Sequence, residues 1–211
     1  QYASQTTPYR QLATMNGKPA ASAHSVVKAA VLFLRVPYEL GHRILPVAPL
    51  EPAAIRAASA IAGPPGTAGF YDRETGETFL KGVRLVDAGD VVIPTADVSQ
   101  SLANVTSAIG AIVAAGAMPV TLGGDHSVTF AVLRGFQASK QRLHVIHLDS
   151  HQDFGPLSDR GTGQTVIQHG NHLRHAIDLP WVSGITMLGL RGMTHGSGAT
   201  ATDVREHNIA T

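Results

Sequence analysis

The apolar positions of this chain fall into runs of two lengths. Ala29–Val36 (AAVLFLRV) is a nearly continuous apolar run and predicts a strand covered on both faces, stopped by Pro37. Arg84–Val92 (RLVDAGDVV) reads as a short strand running into a turn. Apolar runs at Met118–Leu122 and Leu143–Leu148, and the stretch Gly184–Leu190, predict three more strands. Longer patterns separate them. Across Ser99–Gly116, Leu102, Val105, Ile109, Ile112 and Val113 share one face at helical spacing, and Gly116 supplies the stop. Pro52 opens a short helix, PAAIRAASA, which Gly63-Pro64-Pro65-Gly66 ends. SVTFAVLRGFQASK has the length of a crossover helix, His169–Ile177 begins another helix, and Asp203–Asn208 reads as a final helical turn. Thr67–Lys81 is polar and predicts a surface loop or small hairpin. Gly155–Gln168, rich in Gly, Ser and Thr, predicts a loop. Residues 1–25 are polar and without period, a loosely ordered arm, and residues 26–211 form one domain. Strands alternating with helices predict a doubly wound α/β sheet.

Composition narrows the function classes. The 211 residues suffice for a sizeable core, and abundant Gly, Ala and Val with few aromatics suit packed parallel strands. A formal net charge of +1 provides no basic field for nucleic acid, and no Lys/Arg run addresses a membrane surface. The absence of cysteine excludes disulfides and thiolate metal sites and agrees with a reducing, cytoplasmic setting. No apolar run reaches membrane-spanning length, and there is no signal-peptide core. The Asn104-Val105-Thr106 sequon lies inside a predicted helix and is read as chance.

The candidate chemistry sits at two strand ends. The run LHVIHLDSHQDF carries Asp149, His151 and Asp153 at alternate positions, which an extended segment would turn to one side. Upstream, MPVTLGGDHS breaks at two glycines and leaves His126 at its end. The intervening helix allows the two strands to be parallel neighbours, with both ligand sets at the sheet edge where α/β proteins bind ligands. His126, Asp149, His151 and Asp153 make an oxygen-and-nitrogen set without sulfur, suited to Mn2+ among other metals. The competing reading, that His126 caps a turn and the aspartates cap a helix, suits either motif alone. Two motifs converging at one edge favour the metal. Asp125 is read as a cap rather than a group orienting a ligand.

GGDHS followed by a strand ending in Asp-x-His-x-Asp resembles the ureohydrolase family, the arginases, agmatinases and their relatives. VPYELG, PAAIRAAS, VDAGDV, HGNHLRHAID and GITMLGLRG resemble further family segments in family order, covering about Ala29 to Asn208. The resemblance implies a three-layer α/β/α domain with a mainly parallel sheet and two Mn2+ ions. Asp149 would bridge them, His126 and Asp153 would serve one ion, and His151 the other. It implies hydrolysis of a guanidino compound to urea and an amine through a metal-bridging hydroxide, with His169 contacting substrate and moving protons. A homo-oligomer acting on a small guanidino substrate is expected, with neither nucleic acid nor membrane as partner. His147, two residues before Asp149, is read as supporting the ligands from behind. His144, His172 and His175 are read as core or surface histidines.

The departures are specific. Ser150 stands where the family usually has Ala, Glu39 replaces an Asp, and HRILPVAPLEP replaces a Gly-rich pattern. Gly155 occupies the place of an arginase Asn, which favours an agmatinase-like substrate. The family's later Ser-x-Asp-x-Asp strand does not occur before Thr211. The domain is therefore expected to be partial at its C-terminal side, and the 211 residues alone to be inactive. Two readings compete: part of an agmatinase-like hydrolase, or a shortened, non-catalytic homologue acting as a binding or regulatory subunit.

Overall fold

Seven strands and four helices are described in the computed structural model, which covers residues 31–37, 51–62, 68–94, 97–157 and 165–191. Strand β1 (Val31–Val36) lies between β4 (Leu85–Asp90) and β5 (Met118–Gly123), parallel to both. Its apolar run follows from that position: a central parallel strand has neighbours along both edges and packing on both faces. The polar stretch predicted as loop or hairpin is a hairpin, β2 (Phe70–Tyr71) antiparallel to β3 (Thr78–Phe79). Its turn is held by Asp72, whose carboxylate accepts the backbone N–H of Glu74 at 2.7 Å.

Helix α1 spans Glu51–Ala62, and Pro52 stands within its first turn, where a missing N–H costs nothing. From it Arg56 reaches the end of β4. It pairs with Asp87 through Nε at 2.7 Å, donates to the carbonyl of Gly89 at 2.9 Å, and also pairs with Asp90. Arg35 of β1 joins the same Asp90. The VDAGDV segment thus acts here as a clamp of carboxylates that ties α1 to the sheet.

Helix α2 (Val98–Ala114) begins at Asp97, whose side chain accepts the N–H of Gln100 at 2.8 Å. It ends just before Gly116, whose φ of +76° is the left-handed conformation that a helix stop favours. Val105, Ile109 and Ile112 are fully buried against Leu34 and Val36 of β1, Ala88, and Ala131 of α3 (Val128–Gly135). The face predicted from periodicity is the face that packs. A 3-10 turn, Phe136–Ser139, follows α3 and leads to β6 (Leu143–Leu148).

β6 pairs in parallel with β7 (Val182–Leu188), and the short helix α4 (His172–Ala176) precedes β7. A second apolar cluster gathers here, with Phe154, Leu173, Ile185 and Met187 buried. The indole N–H of Trp181 donates to the carbonyl of Leu133 at 2.8 Å and so fastens this cluster to α3. On the other face of the pair Ile146, Leu148 and Leu188 are exposed.

One topological expectation is corrected. β5 and β6 are not paired neighbours among the described residues; β5 takes β1 as partner, and β6 takes β7. The two motifs meet because the strands end close together, not because they share hydrogen bonds. The architecture is nonetheless α/β with a mainly parallel sheet. Residues 1–25, the segment at Gly63–Gly66, Glu39 and HRILPVAPLEP, and Asp203–Asn208 lie outside the described residues.

Candidate metal centre

β5 stops at Gly123 and the chain turns through Gly124-Asp125-His126-Ser127 into α3. Asp125 is buried, and its carboxylate accepts the backbone N–H of Ser127 at 2.8 Å. That bond shapes the turn before the helix, but Asp125 is not its cap: the N-cap is Ser127, whose own side chain makes no capping bond. The turn sets the His126 ring over the end of β6.

β6 in turn stops at Leu148, and the ligand-bearing residues follow in irregular chain. The backbone N–H of Asp149 still bonds to the carbonyl of Leu188 on β7 at 3.1 Å. Beyond it the chain curls, and Asp153 has a φ of +48°, a conformation that Asp tolerates better than most residues but at some cost. The curl brings the Asp153 carboxylate back beneath His126. Its carbonyl accepts the N–H of Leu173 at 3.2 Å, docking α4 against the same point.

Three of the four residues singled out as ligands are thereby brought together. His126 Nδ1 is 2.8 Å from Asp153 Oδ2 and 3.5 Å from Asp149 Oδ2. His151 stands at the rim, with its side chain 63% exposed and Nδ1 3.2 Å from Asp149 Oδ1. The reason is local: because β6 ends before Asp149, the strict alternation of a strand no longer applies to residue 151. The backbone N–H of His151 donates to Asp149 Oδ1 at 2.8 Å, which leaves Oδ2 directed to His126 and His147.

Two further imidazoles complete the group. His147 Nε2 is 3.5 Å from Asp153 Oδ2, and His172 Nδ1 is 3.8 Å from the same oxygen. The His126 and His172 rings lie 4.2 Å apart between centroids. His126, His147, Asp153 and His172 each offer one ligand atom, all within 4.8 Å of one another. The sequence contained a signal for His147, which shares the alternation of Asp149. His172 had none, since its place depends on how α4 docks. His169 lies in the exposed turn before α4, and its carbonyl is 2.8 Å from His172 Nδ1.

The electrostatics suit cations. Burial alone would raise the Asp153 pKa, but the hydrogen bond from His126 and the neighbouring His147 and His172 imidazoles hold the carboxyl well below its usual range. His126 is pushed upward, chiefly by its hydrogen bond to Asp153. Asp149 is also held low: burial opposes this, while the His151 N–H and the imidazoles prevail. Burial, followed by the charge of His126, lowers His172 to about 4, so it is a neutral imidazole at pH 7.

The fit to a metal rests on what the protein leaves unpaired. Both ring nitrogens of His147 and Nε2 of His172 are buried without a well-formed hydrogen bond. Buried polar atoms are ordinarily satisfied, and a bound cation could satisfy at most one nitrogen on each ring. The ring nitrogens and the ionised carboxylates are also the donor types that divalent transition ions take. Behind the centre, Gly155 donates its N–H to the carbonyl of Gly170 at 2.9 Å, and a Cβ at this position would lie 2.8 Å from that oxygen. No larger side chain fits there without moving the loop before α4.

Comparison with known proteins agrees with this architecture. Over 165 residues the chain is 30% identical to the mitochondrial agmatinase of Gallus gallus, covering 77% of this chain and 46% of that protein. It is 29% identical to the guanidinobutyrase of Pseudomonas aeruginosa over 195 residues, 91% of this chain and 57% of the relative. The chain thus spans about half the length of these curated relatives. Among solved structures, the Trypanosoma cruzi formiminoglutamase with Mn2+ superposes with a TM-score of 0.70 at 23% identity, covering 97% of this chain and 65% of the other. The sequence pattern of the arginase family matches residues 29–211, and the chain belongs to that family.

Proposed function

We propose that the protein to which this chain belongs is a metal-dependent hydrolase that cleaves a guanidino compound, agmatine-like, to urea and an amine. The observation that carries the proposal is the convergence of the Asp149 and Asp153 carboxylates within 3.5 Å of His126 at the ends of two strands. The named activities of the agmatinase and guanidinobutyrase relatives support the substrate class. The Mn2+ of the formiminoglutamase neighbour supports the metal, two ions in the complete enzyme.

The chemistry demands such a site. A guanidinium carbon is a poor electrophile, because its charge is spread over three nitrogens. Bound divalent ions would supply a water-derived nucleophile at neutral pH by lowering the pKa of water. Asp149 and Asp153, both ionised, offset part of the charge of those ions. His126 contributes a neutral nitrogen once the ion replaces its proton. His151, joined to Asp149 at the rim, is placed to serve the second ion. His169 is assigned the proton that the leaving nitrogen requires, from its exposed turn beside the cluster. Water adds to the guanidinium carbon, the bond to the substituted nitrogen breaks, and the products are urea and a protonated amine.

The test is urea release by the full-length protein supplied with Mn2+, using agmatine, 4-guanidinobutyrate and arginine. Urea from agmatine or guanidinobutyrate above arginine supports the reading, and its loss in Asp149→Ala ties it to this centre. No urea from any of the three would overturn the hydrolase assignment.

A further inference from the structure

We infer that Asn171 is a positioning residue, whose side chain holds the turn carrying His169 at a fixed place beside the metal centre and thereby sets the turnover rate. The inference rests on the hydrolase reading above, in which His169 supplies the proton, and adds to it the group that places His169.

Asn171 is 3% exposed, and its carboxamide is engaged at both ends. The oxygen accepts the backbone N–H of Gln168 at 2.7 Å. The nitrogen donates to the carbonyls of Pro156 and Val166, each at 2.9 Å. These partners fix the orientation of the group, because exchanging its oxygen and nitrogen would set donor against donor and acceptor against acceptor.

The position of the residue makes its choice of partners informative. Asn171 is the N-cap of α4, where an asparagine ordinarily bonds the first N–H groups of its own helix. Its side chain makes no such bond. It turns instead to the chain before the helix, where one group ties together three separate backbone points. Pro156 follows closely on Asp153, Val166 lies at the far end of the loop, and Gln168 adjoins His169. Helix stability alone does not call for this arrangement.

The turn itself is closed by the same residue. The Asn171 N–H donates to the Gln168 carbonyl at 3.2 Å, answering the bond from the Gln168 N–H to its side chain. His169 and Gly170 lie between those two bonds. The His172 Nδ1–H donates to the His169 carbonyl at 2.8 Å, and the Gly155 N–H to the Gly170 carbonyl at 2.9 Å. His175 Nε2 adds a second contact to the Val166 carbonyl at 3.1 Å. The backbone of His169 is thus held in register with the curl after β6, which carries Asp153. A displacement of about 1 Å at a reacting group can cost about a hundredfold in rate, so a clamp here acts on turnover more than on binding.

The experiment uses the full-length protein with Mn2+ and whichever of agmatine and 4-guanidinobutyrate it turns over. In Asn171→Ala, kcat is expected to fall by about ten- to a hundredfold while KM changes by less than about threefold. In a His169→Gln background the same substitution should change kcat by less than about twofold, because residues acting through one step are not additive. Asn171→Ser, which keeps an acceptor for the Gln168 N–H, should recover part of the rate. Amide exchange of the metal-free protein gives a readout besides activity: Gln168 should exchange at least about tenfold faster in Asn171→Ala, with β1 and α2 unchanged. Should the alanine variant fail to fold, the cycle is run with Asn171→Ser, and the side-chain amide protons of Asn171 in the parent must be protected from exchange. Equal losses in both His169 backgrounds, a raised KM with unchanged kcat, no recovery in the serine variant, unchanged Gln168 exchange or unprotected side-chain protons would each overturn the inference. No urea from the parent would instead overturn the hydrolase reading on which it rests.

Discussion

Two halves of this molecule are built from parallel strands, yet they are held together differently. Around β1, aliphatic side chains from two strands and two helices fill the space, and Val36, Val105 and Ile109 have no measurable exposure. Charged groups there are paired, Arg56 and Arg35 with Asp87 and Asp90 and Asp97 with the start of α2, and only single atoms, Arg35 Nε and Thr121 Oγ1, are buried without a partner among the described residues. Around β6 and β7 the apolar cluster is smaller, and beside it stand buried imidazoles, His147 and His172, with ring nitrogens that lack a hydrogen-bond partner. There the outward residues Ile146, Leu148 and Leu188 also remain 65%, 75% and 48% exposed. The first half draws its stability from burial, which is the dominant favourable contribution in folding. The second half sacrifices some to keep nitrogen and oxygen atoms available for a ligand, a compromise usual at functional sites.

This contrast can be broken most directly in the first core. Ile109→Ala removes a fully buried side chain of α2 that packs against Gly135 of α3, and should destabilise the protein by about 2–5 kcal/mol in denaturant unfolding, with or without divalent metal. A loss under about 1 kcal/mol would mean that this core is not close-packed.

The ion should act on the other half. At about a hundredfold excess over its dissociation constant, Mn2+ bound at this centre would stabilise the folded state by about 2.7 kcal/mol. Hydrogen exchange locates the effect: amides of β6 and α4 should slow on ion addition by more than those of β1 and β5. Equal slowing everywhere would remove the distinction between the halves.

A smaller effect sharpens the account of the first half. Asp97→Ala deletes the bond to the Gln100 N–H and should cost about 1 kcal/mol, the same in metal-free and metal-loaded protein. A metal-dependent cost would show that α2 responds to the centre.

The smallest effect concerns acid. His175 is held below its ordinary pKa chiefly by burial, as His172 is, at about 4. Between the ordinary value near 6.5 and those lowered values, the unfolded chain binds protons that the folded protein refuses, so stability falls as pH falls. His126 works in the opposite sense, because its raised pKa contributes stability below 6.5 that is lost as pH rises through the folded value. In metal-free protein, His175→Gln should therefore lose less stability than the parent between pH 7 and pH 5, measured by urea unfolding. An equal loss would place the acid sensitivity elsewhere.

Local pattern was enough to reveal much of this protein. The helical face of Leu102, Val105, Ile109 and Ile112, the stop at Gly116 and the strand runs of β1 and β6 are consequences of short-range periodicity and backbone preference, and they appear where the sequence predicts them. His126, Asp149 and Asp153 were legible for a similar reason, since residues at the ends of parallel strands are delivered to one edge. Periodicity could not decide which strands pair, because an apolar run is compatible with any apolar neighbour; tertiary packing joined β5 to β1 and β6 to β7. Nor could it foresee that β6 stops at Leu148, which sends His151 to the rim, or that α4 docks on the Asp153 carbonyl and carries His172 into the cluster. Those placements depend on contacts between residues far apart in the chain, and only the folded structure contains them.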